Sequence, residues 1–299
     1  MISEDVIRLG KKSSCPRKEE AMRTLYVTDL DGTLLNTESR INPESLSIIN
    51  ELVEQGMLFT YATARSLESA SVVTEGLRLT MPVIVYNGAF IMRPRTQEPS
   101  LPGEILYSQF FTREEAGFIR ENLEKAGISP LVYSFIRERE SVSWNTAREN
   151  EGIKHYLSNR RWDRRLRPLE SAEGLYDGNI FYYTCIGEKE ELMPLYEVFS
   201  RDRRLRCTIQ QELYRPEYWC EVMPGKATKA QAIRTLKDMY GCDRVVSFGD
   251  AINDIPMFEL SDECYAVENA VPELKSAATG IVGSNDGDGV AKWLRENVK

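Results

Sequence analysis

The chain has 299 residues, of which 42% are hydrophobic and 28% are charged, which is typical of a folded globular protein and excludes a mainly disordered one. Its net charge of −8, from 38 basic and 46 acidic residues, disfavours a general nucleic-acid binder. The apolar run 81–86 is far too short to cross a bilayer, and residues 1–22 form a charged extension without the apolar core of a secretory signal. We therefore expect a cytoplasmic protein that partners neither nucleic acid nor a membrane.

Cysteine and histidine usage narrows the chemistry. Six cysteines lie far apart and form no Cys-x-x-Cys pair, which predicts reduced, packed thiols and neither a disulfide frame nor a zinc site. The single histidine, His155, lies in a charged stretch, where a solvated imidazole is the simplest expectation. Carboxylates are therefore the groups most suited to carry a reaction here.

From Thr24 onward, short β-rich runs alternate with helical patterns. Strands alternating with helices predict a parallel sheet covered by helices, a Rossmann-like α/β core. The predicted strands are 25–28, 58–62 and 82–86, and the helices between them begin near Pro43 and Ser66.

The pattern changes after Asn87-Gly88, where prolines interrupt a hairpin-like stretch and further β-rich runs alternate with helices. It predicts a separate α+β unit inserted into the first domain. The core would then comprise residues 23–88 and 223–299, and the inserted unit residues 89–222. Within that unit the arginine-rich stretch 159–167 predicts a solvated face or, alternatively, a contact with an anionic substrate.

Helix limits are indicated at several points by capping residues. Thr112 with Glu115 makes a capping box for a helix that ends at Gly127. After the inserted unit, Thr228 caps a helix that ends at Gly241, and strands and helices then resume their first rhythm.

Two acidic turns follow predicted parallel strands, at the edge where open α/β sheets bind their ligands. The first is Asp-Leu-Asp-Gly-Thr at 29–33, in which Gly32 permits a tight turn and bares backbone amides; the second is Gly-Asp-Ala-Ile-Asn-Asp at 249–254. Their carboxylates are Asp29, Asp31, Asp250 and Asp254. Four carboxylates brought together cannot all stay ionised without a compensating cation, and Mg²⁺ suits such oxygen ligands.

These segments resemble the motifs of the haloacid dehalogenase superfamily of phosphatases. Tyr-Val-Thr-Asp-Leu-Asp-Gly-Thr-Leu-Leu at 26–35 is similar to its first motif, and Tyr-Ala-Thr-Ala-Arg at 61–65 to its second. Glu-Val-Met-Pro at 221–224, running on to Lys229, is similar to the third, and 248–254 to the fourth. The four motifs occur in order, and the resemblance extends over residues 23–299.

The resemblance extends to one branch of that superfamily. Asn-Gly-Ala at 87–89 and the tail 285–291 are similar to the Cof-type branch, which carries a large α+β cap between its second and third motifs. One departure is Ala64, where that branch usually has glycine. The change removes no reactive group.

The resemblance implies a set of catalytic roles. Asp29 would be the nucleophile that forms an aspartyl-phosphate, and Asp31 would be the general acid and base. Mg²⁺ would lie between the Asp29 carboxylate, the Asp31 carbonyl oxygen and Asp250, with Asp254 as a direct or indirect ligand. Thr63 and Lys229 would hold the transferring oxygens. The phosphate-binding set implied in this way is Gly32, Thr63, Ala64, Lys229 and Asn253.

Other roles remain open for some of these residues. Thr63 could cap the following helix, and Lys226 competes with Lys229, although Lys229 keeps the family's spacing. Arg65 could bind phosphate or only pair with a core carboxylate. Asn253 could cap a helix or contact phosphate.

Together these observations predict a Mg²⁺-dependent phosphatase acting on a small phosphate ester, a sugar phosphate or a phosphorylated cofactor. The alternatives are a phosphomutase or phosphotransferase that uses the same aspartyl-phosphate, and a regulator that binds a phosphorylated ligand without turnover.

Overall fold

The structure is a computed structural model that describes residues 22–94, 103–158, 160–212 and 215–298. The predicted extension 1–22 lies outside the described residues except for Met22. Within the described part, the strands in chain order are β1 (Thr24–Thr28), β2 (Leu58–Tyr61), β3 (Val83–Val85), β4 (Phe90–Met92), β5 (Ile105–Ser108), β6 (Leu131–Ile136), β7 (Arg139–Asn145), β8 (Leu166–Leu169), β9 (Asn179–Gly187), β10 (Leu205–Gln211), β11 (Tyr218–Pro224), β12 (Arg244–Gly249), β13 (Glu263–Val267) and β14 (Gly280–Val282). The helices are α1 (Pro43–Glu54), α2 (Leu67–Val73), α3 (Arg113–Ala126), α4 (Glu151–Ser158), α5 (Lys189–Phe199), α6 (Lys229–Tyr240), α7 (Ile255–Leu260), α8 (Pro272–Ala277) and α9 (Gly289–Asn297).

The first sheet is parallel throughout, in the order β14-β13-β12-β1-β2. Its central strands are mainly apolar, as is typical of parallel strands that helices cover. Leu25, Val27 and Phe59 are fully buried. Helix α1 packs against α9, and α6 packs against α7. This confirms the predicted α/β core and brings the carboxyl ends of β1 and β12 side by side.

The second sheet has the order β10-β11-β9-β6-β7-β8, antiparallel except between β7 and β8. Helices α3 and α5 pack together beside it. Their apolar side chains share a separate hydrophobic cluster with alternate residues of β9 and β11, such as Tyr183 and Val222. The α+β character predicted for this region is therefore confirmed.

The predicted limits of the inserted unit do not coincide with the ends of strands. Strands β4 and β5 form a third sheet with β3, and Ala62 and Ile84 form a bridge that links β3 to the end of β2. The limit between residues 88 and 89 therefore falls at the bend of a hairpin, where Gly88 has a φ of +97°. The limit between residues 222 and 223 falls inside β11. The division into two units with these limits stays a prediction.

Helix ends lie where the capping residues placed them. Thr112 and Glu115 form the reciprocal capping box of α3, and Gly127 ends that helix in the left-handed conformation. At α6, the Thr228 hydroxyl accepts the Gln231 amide, and Gly241 is the left-handed end. These signals act within one helical turn, so they could be recognised before any tertiary contact was known.

The arginine-rich stretch is only partly solvated. Arg161, Trp162 and Arg164 are exposed as expected, whereas Arg165 is half-buried and pairs with Glu140 and Asp163. The solvated-face expectation is therefore wrong for Arg165, because the fold brings carboxylates to it that the linear sequence did not place there.

The described cysteines, 185, 207, 220, 242 and 264, are free and mostly buried. No helix in the described ranges is both long and apolar enough to span a membrane.

Candidate active site

Two carboxylates follow β1, in different environments. Asp29 is 6% exposed, and its amide donates to the Phe248 carbonyl at 2.9 Å, which ties it to the end of β12. Asp31 faces outward with its side chain 49% exposed, and Arg65 binds it through Nε at 2.8 Å and Nη2 at 2.6 Å. The two carboxylates therefore differ in access to water and in partner, as two separate chemical roles require.

Gly32 and Thr33 bring the first acidic turn against Asp250. The Thr33 hydroxyl donates to Asp250 Oδ1 at 3.0 Å. Gly32 has a φ of +76°, and a Cβ atom there would lie 2.5 Å from Asp250 Oδ2. A glycine is therefore required for both the backbone conformation and the close approach. The part played by Thr33 was not recognised from the sequence, because only the fold shows what its hydroxyl meets.

Lys229 lies between two buried carboxylates. Its Nζ donates to Asp29 Oδ1 at 2.6 Å and to Asp254 Oδ1 at 2.7 Å, and all three side chains are almost fully buried. The other oxygen of Asp254 accepts the amides of Asp250 and Ala251, both at 3.1 Å. Since Lys226 is exposed, Lys229 is the lysine that the fold brings to this cluster.

The carboxylates of Asp29, Asp250 and Asp254 could together hold a metal ion, since one oxygen from each lies within 4.8 Å of the others. Three carboxylates against one ammonium, that of Lys229, leave two negative charges. Oxygen donors with this excess charge fit a hard divalent cation such as Mg²⁺. The expectation that four carboxylates come together is wrong for Asp31, whose carboxylate pairs with Arg65 outside this group. The Asp31 carbonyl oxygen stays a predicted ligand.

Burial and crowding change the acidity of these groups. Burial raises the pKa of Asp29 to about 7, with Asp254 adding to the effect and Lys229 opposing it. Burial and the neighbouring Asp254 likewise raise the pKa of Asp250 to about 6. Burial acts to lower the pKa of Lys229, but Asp29 and Asp254 outweigh it and the pKa is raised. Without a cation, Asp29 and Asp250 therefore keep their protons to a higher pH than isolated carboxyl groups do.

Thr63 lies at the end of β2 and is fully buried. Its hydroxyl oxygen accepts the Arg65 amide at 3.1 Å, while Ser66 caps α2 by accepting the Ser69 amide. The alternative in which Thr63 caps this helix is therefore wrong. Its own O–H is available to donate to a ligand. Ala64 lies exposed in the same loop.

Asn253 is half-exposed and makes no side-chain hydrogen bond within the described chain. The helical segments there begin after Ala251 and Asp254, so the alternative in which Asn253 caps a helix is wrong, whereas its contact with phosphate stays a prediction.

Two other asparagines stabilise the first acidic turn, and the sequence did not indicate this role for them. Asn269 Nδ2 donates to the Gly32 carbonyl at 2.7 Å, and the backbone N–H of Asn285 donates to Asn269 Oδ1 at 3.0 Å. Asn285 lies in the tail segment 285–291, and the similarity of that segment to the Cof-type branch was the one sequence signal that pointed to this residue.

The family model for haloacid dehalogenase-like hydrolases matches residues 26–294. A curated relative from Bacillus subtilis, 5-amino-6-(5-phospho-D-ribitylamino)uracil phosphatase YwtE, is 27% identical over 89% of this chain and 95% of its own. The HMP-PP phosphatase of Serratia proteamaculans is 27% identical over 92% of this chain and 95% of its own.

Solved structures show the same fold. TM0651 from Thermotoga maritima superposes with a TM-score of 0.72 and 26% identity, covering 93% of this chain and 98% of that one. The resemblance seen in the motifs, to Cof-type phosphatases, is confirmed by these matches. With nearly its whole length matched, the chain belongs to the family of haloacid dehalogenase-like hydrolases and is an enzyme whose named relatives are phosphatases.

Proposed function

We propose that this enzyme is a Mg²⁺-dependent phosphatase that hydrolyses a small phosphorylated metabolite through a phosphorylated Asp29. The observation that carries the proposal is the buried cluster at the ends of β1 and β12. There the Asp29 carboxylate is held at 2.6 Å by Lys229 and lies beside Asp250 and Asp254.

Asp29 attacks phosphorus in line, forming the aspartyl-phosphate bond as the bond to the leaving oxygen breaks. Asp31 gives its proton to the leaving alkoxide. The resulting carboxylate then takes a proton from the water that attacks the aspartyl-phosphate, which releases phosphate and restores both acids. The half-exposed position of Asp31 supports this role, since leaving group and water both reach it.

The remaining residues bind charge. Asp29, Asp250, Asp254 and the Asp31 carbonyl oxygen would hold Mg²⁺, which supplies positive charge to the transferring phosphoryl oxygens. Lys229 donates to the same oxygens, as does the Thr63 hydroxyl. The proposed phosphate-binding set is completed by Gly32, Ala64 and Asn253.

Two further proposals concern the molecule as a whole. Residues 89–222, with the limits discussed above, would act as a cap that selects the leaving group. A cytoplasmic location is supported by the free state of the described cysteines. The names of the relatives, a phosphoribitylamino-uracil phosphatase and an HMP-PP phosphatase, support a small phosphorylated metabolite as the substrate.

The test is phosphate release from a panel of phosphorylated metabolites, with Mg²⁺ and with EDTA. It is run beside Asp29→Asn and a matched control, Asp238→Asn, whose side chain is exposed on α6. We expect turnover that EDTA and Asp29→Asn abolish and Asp238→Asn preserves. Metal-independent hydrolysis, or substantial activity of Asp29→Asn, would contradict the proposed mechanism. Transfer of phosphate to an added sugar would indicate a phosphotransferase, and binding without turnover would indicate a regulator.

A further inference from the structure

Three cysteines lie on neighbouring strands of the second sheet, on the side that α3 and α5 cover. Cys220 of β11 is the register partner of Cys185 of β9, and Cys207 of β10 is the register partner of Val222. The three cysteines belong to the hydrophobic cluster that the sheet shares with these helices. None of their thiols takes part in the proposed phosphatase reaction.

Two of these thiols contact each other. The Sγ atoms of Cys207 and Cys220 are 3.6 Å apart. The register makes the two residues diagonal neighbours on adjacent antiparallel strands, and the Cα atoms of such neighbours lie about 7–8 Å apart. A disulfide has an S–S distance of about 2.05 Å and Cα atoms within about 7 Å of each other. The two sulfurs can therefore bond if one strand moves a short way toward the other.

Strand β10 is free to make this movement on one side. It lies at the edge of the second sheet and, among the strands that the structure describes, pairs only with β11. An edge strand has no second ladder of hydrogen bonds that a small displacement would break. The sheet can therefore accommodate a bond between the two cysteines without losing other strand pairing.

The two thiols differ in their access to small molecules. Cys207 is partly exposed, whereas Cys220 is fully buried. The hydrogen bond with Cys220 and burial raise the pKa of Cys207, so little thiolate is present near neutral pH and its oxidation is slow. A partly exposed thiol in contact with a buried one suits successive attack, in which the exposed sulfur reacts first and the buried sulfur resolves the intermediate.

We propose that Cys207 and Cys220 are a site of reversible oxidation, at which a small-molecule disulfide such as oxidised glutathione converts the two thiols into a protein disulfide. The Cys207 thiolate attacks one sulfur of the small disulfide, whose S–S bond breaks, and the released thiolate takes up the proton that Cys207 lost. Cys220 then loses its proton, attacks the Cys207 sulfur and releases the second small thiol. Two protein thiols are oxidised, and one small disulfide is reduced to two thiols.

The new bond acts on the active site through β10. Arg206 precedes Cys207 and points to the other side of the strand, where its Nη1 donates to the Ala227 carbonyl at 3.5 Å. Ala227 lies two residues before Lys229, and two residues span at most about 7 Å of chain. Movement of β10 toward β11 displaces Arg206 from this contact, so oxidation lowers turnover. This last step rests on the proposed phosphatase function, whereas formation of the disulfide does not.

The experiment treats the reduced full-length protein with oxidised glutathione. The mass of the intact protein and of its proteolytic peptides is measured before and after dithiothreitol, and kcat/KM is measured in both states with an ester from the panel above. The proteins compared are the unmodified chain, Cys207→Ser, Cys220→Ala and the control Cys15→Ser, which removes a thiol outside the described residues. Thermal unfolding of each reduced protein checks that it is folded.

We expect the unmodified protein and Cys15→Ser to lose two hydrogen atoms in mass and to yield one peptide pair linked through Cys207 and Cys220. Their kcat/KM should fall roughly tenfold, and dithiothreitol should reverse both changes. Cys220→Ala should stop at a mixed disulfide between Cys207 and glutathione, because the resolving thiol is absent. Cys207→Ser should form no disulfide and keep its kcat/KM under the oxidant.

Glutathione attached to the unmodified protein without a protein disulfide, or a disulfide that links other cysteines, would overturn the proposed site. A Cys207–Cys220 disulfide that leaves kcat/KM unchanged would overturn its link to the active site. If the reduced protein hydrolyses no ester of the panel, the phosphatase proposal fails, and the linked peptides still decide whether the two thiols form the disulfide. Cys207→Ser, at the partly exposed position, keeps the comparison decisive if Cys220→Ala does not fold.

Discussion

Asp29 and Lys229 are 200 positions apart in the chain, yet their side chains meet at 2.6 Å. Neither residue alone determines the properties of the site. Burial raises the pKa of Asp29 and Lys229 opposes the shift, so a cation in the cluster would further favour the ionised carboxylate that we propose as the nucleophile. Because the proposed chemistry depends on the distances between these side chains, single substitutions are informative.

Gly32→Ala should lower kcat/KM on the order of a hundredfold, because the new methyl group would displace Asp250 from the position in which it completes the acidic cluster. The matched control is Gly56→Ala. Gly56 also has a positive φ, of +104°, but has no atom within 4 Å of the added Cβ. Steady-state kinetics with a Mg²⁺ titration checks this prediction. If both variants lose activity to the same extent, backbone strain is responsible and displacement of Asp250 is not.

Lys229→Gln should lower kcat by about 10² to 10³, because it removes the donor that we propose binds the transferring oxygens. Lys226→Gln changes the same residue type three positions earlier, at an exposed site, and should have little effect. Kinetics at saturating Mg²⁺ separates the two. A greater loss in Lys226→Gln would reverse the assignment of the phosphate-binding lysine.

At the scale of elements, contacts between the two sheets connect the cap to the site. The Tyr86 hydroxyl, just after β3, bonds to Glu140 of β7, and Arg165 Nη1 donates to both, at 2.6 Å in each case. The Tyr86 ring also lies edge-on to Phe181 of β9, at 4.9 Å. The turn beside Thr63 and Arg65 is thus held by the second sheet, so cap position and site geometry are coupled.

Arg165→Ala should lower the free energy of unfolding by roughly 2–3 kcal/mol, somewhat less than the cost of breaking a fully buried pair, because Glu140 and Asp163 lose their counter-charge. Arg161→Ala, at an exposed position in the same stretch, should change it by less than about 0.5 kcal/mol. Urea denaturation measures both. Equal stability of the two variants would show that the cluster contributes little to holding the cap.

The sheet that β4 joins could not be predicted from the local sequence. The sequence pattern changes at Asn87-Gly88, and the predicted limits 89–222 place β4 at the start of the inserted unit. The β4 residues Phe90 and Ile91 are fully buried in the larger hydrophobic cluster, and β4 pairs with β3. Apolar character alone does not say which sheet a short strand joins, because partner choice depends on contacts far away in the chain.

For the molecule as a whole, the acidic cluster makes stability depend on pH and, where it binds Mg²⁺ as proposed, on the metal. The pKa of Asp29 rises from 3.8 to about 7 on folding, and that of Asp250 from 3.8 to about 6. Below pH 4 both states carry these protons, whereas between about pH 4 and pH 7 only the folded state keeps them. Without metal, their contribution to stability is therefore largest at low pH and is lost as the pH rises through this window.

Between pH 5 and pH 8 we expect the melting temperature in EDTA to fall by a few degrees, and Mg²⁺ to stabilise the protein more at pH 8 than at pH 5, since it binds the ionised carboxylates. Asp29→Asn should have a shallower pH dependence, because one titrating group is gone. Differential scanning fluorimetry across pH, with and without Mg²⁺, measures this. Equal stabilisation by Mg²⁺ at both pH values would contradict the assignment of the cluster as its site.

The sequence by itself determined the α/β core, the caps of α3 and α6, the family and the two acidic turns, because these depend on local backbone preference and on short motifs. Only the tertiary structure placed Lys229 and not Lys226 in the acidic cluster, excluded Thr63 as a helix cap, gave Arg65 the Asp31 carboxylate as its partner, and joined β4 to β3. Each of those outcomes depends on which distant side chains a sheet register brings within a few ångströms. That proximity follows from the packing of the whole chain and is not encoded in any short segment.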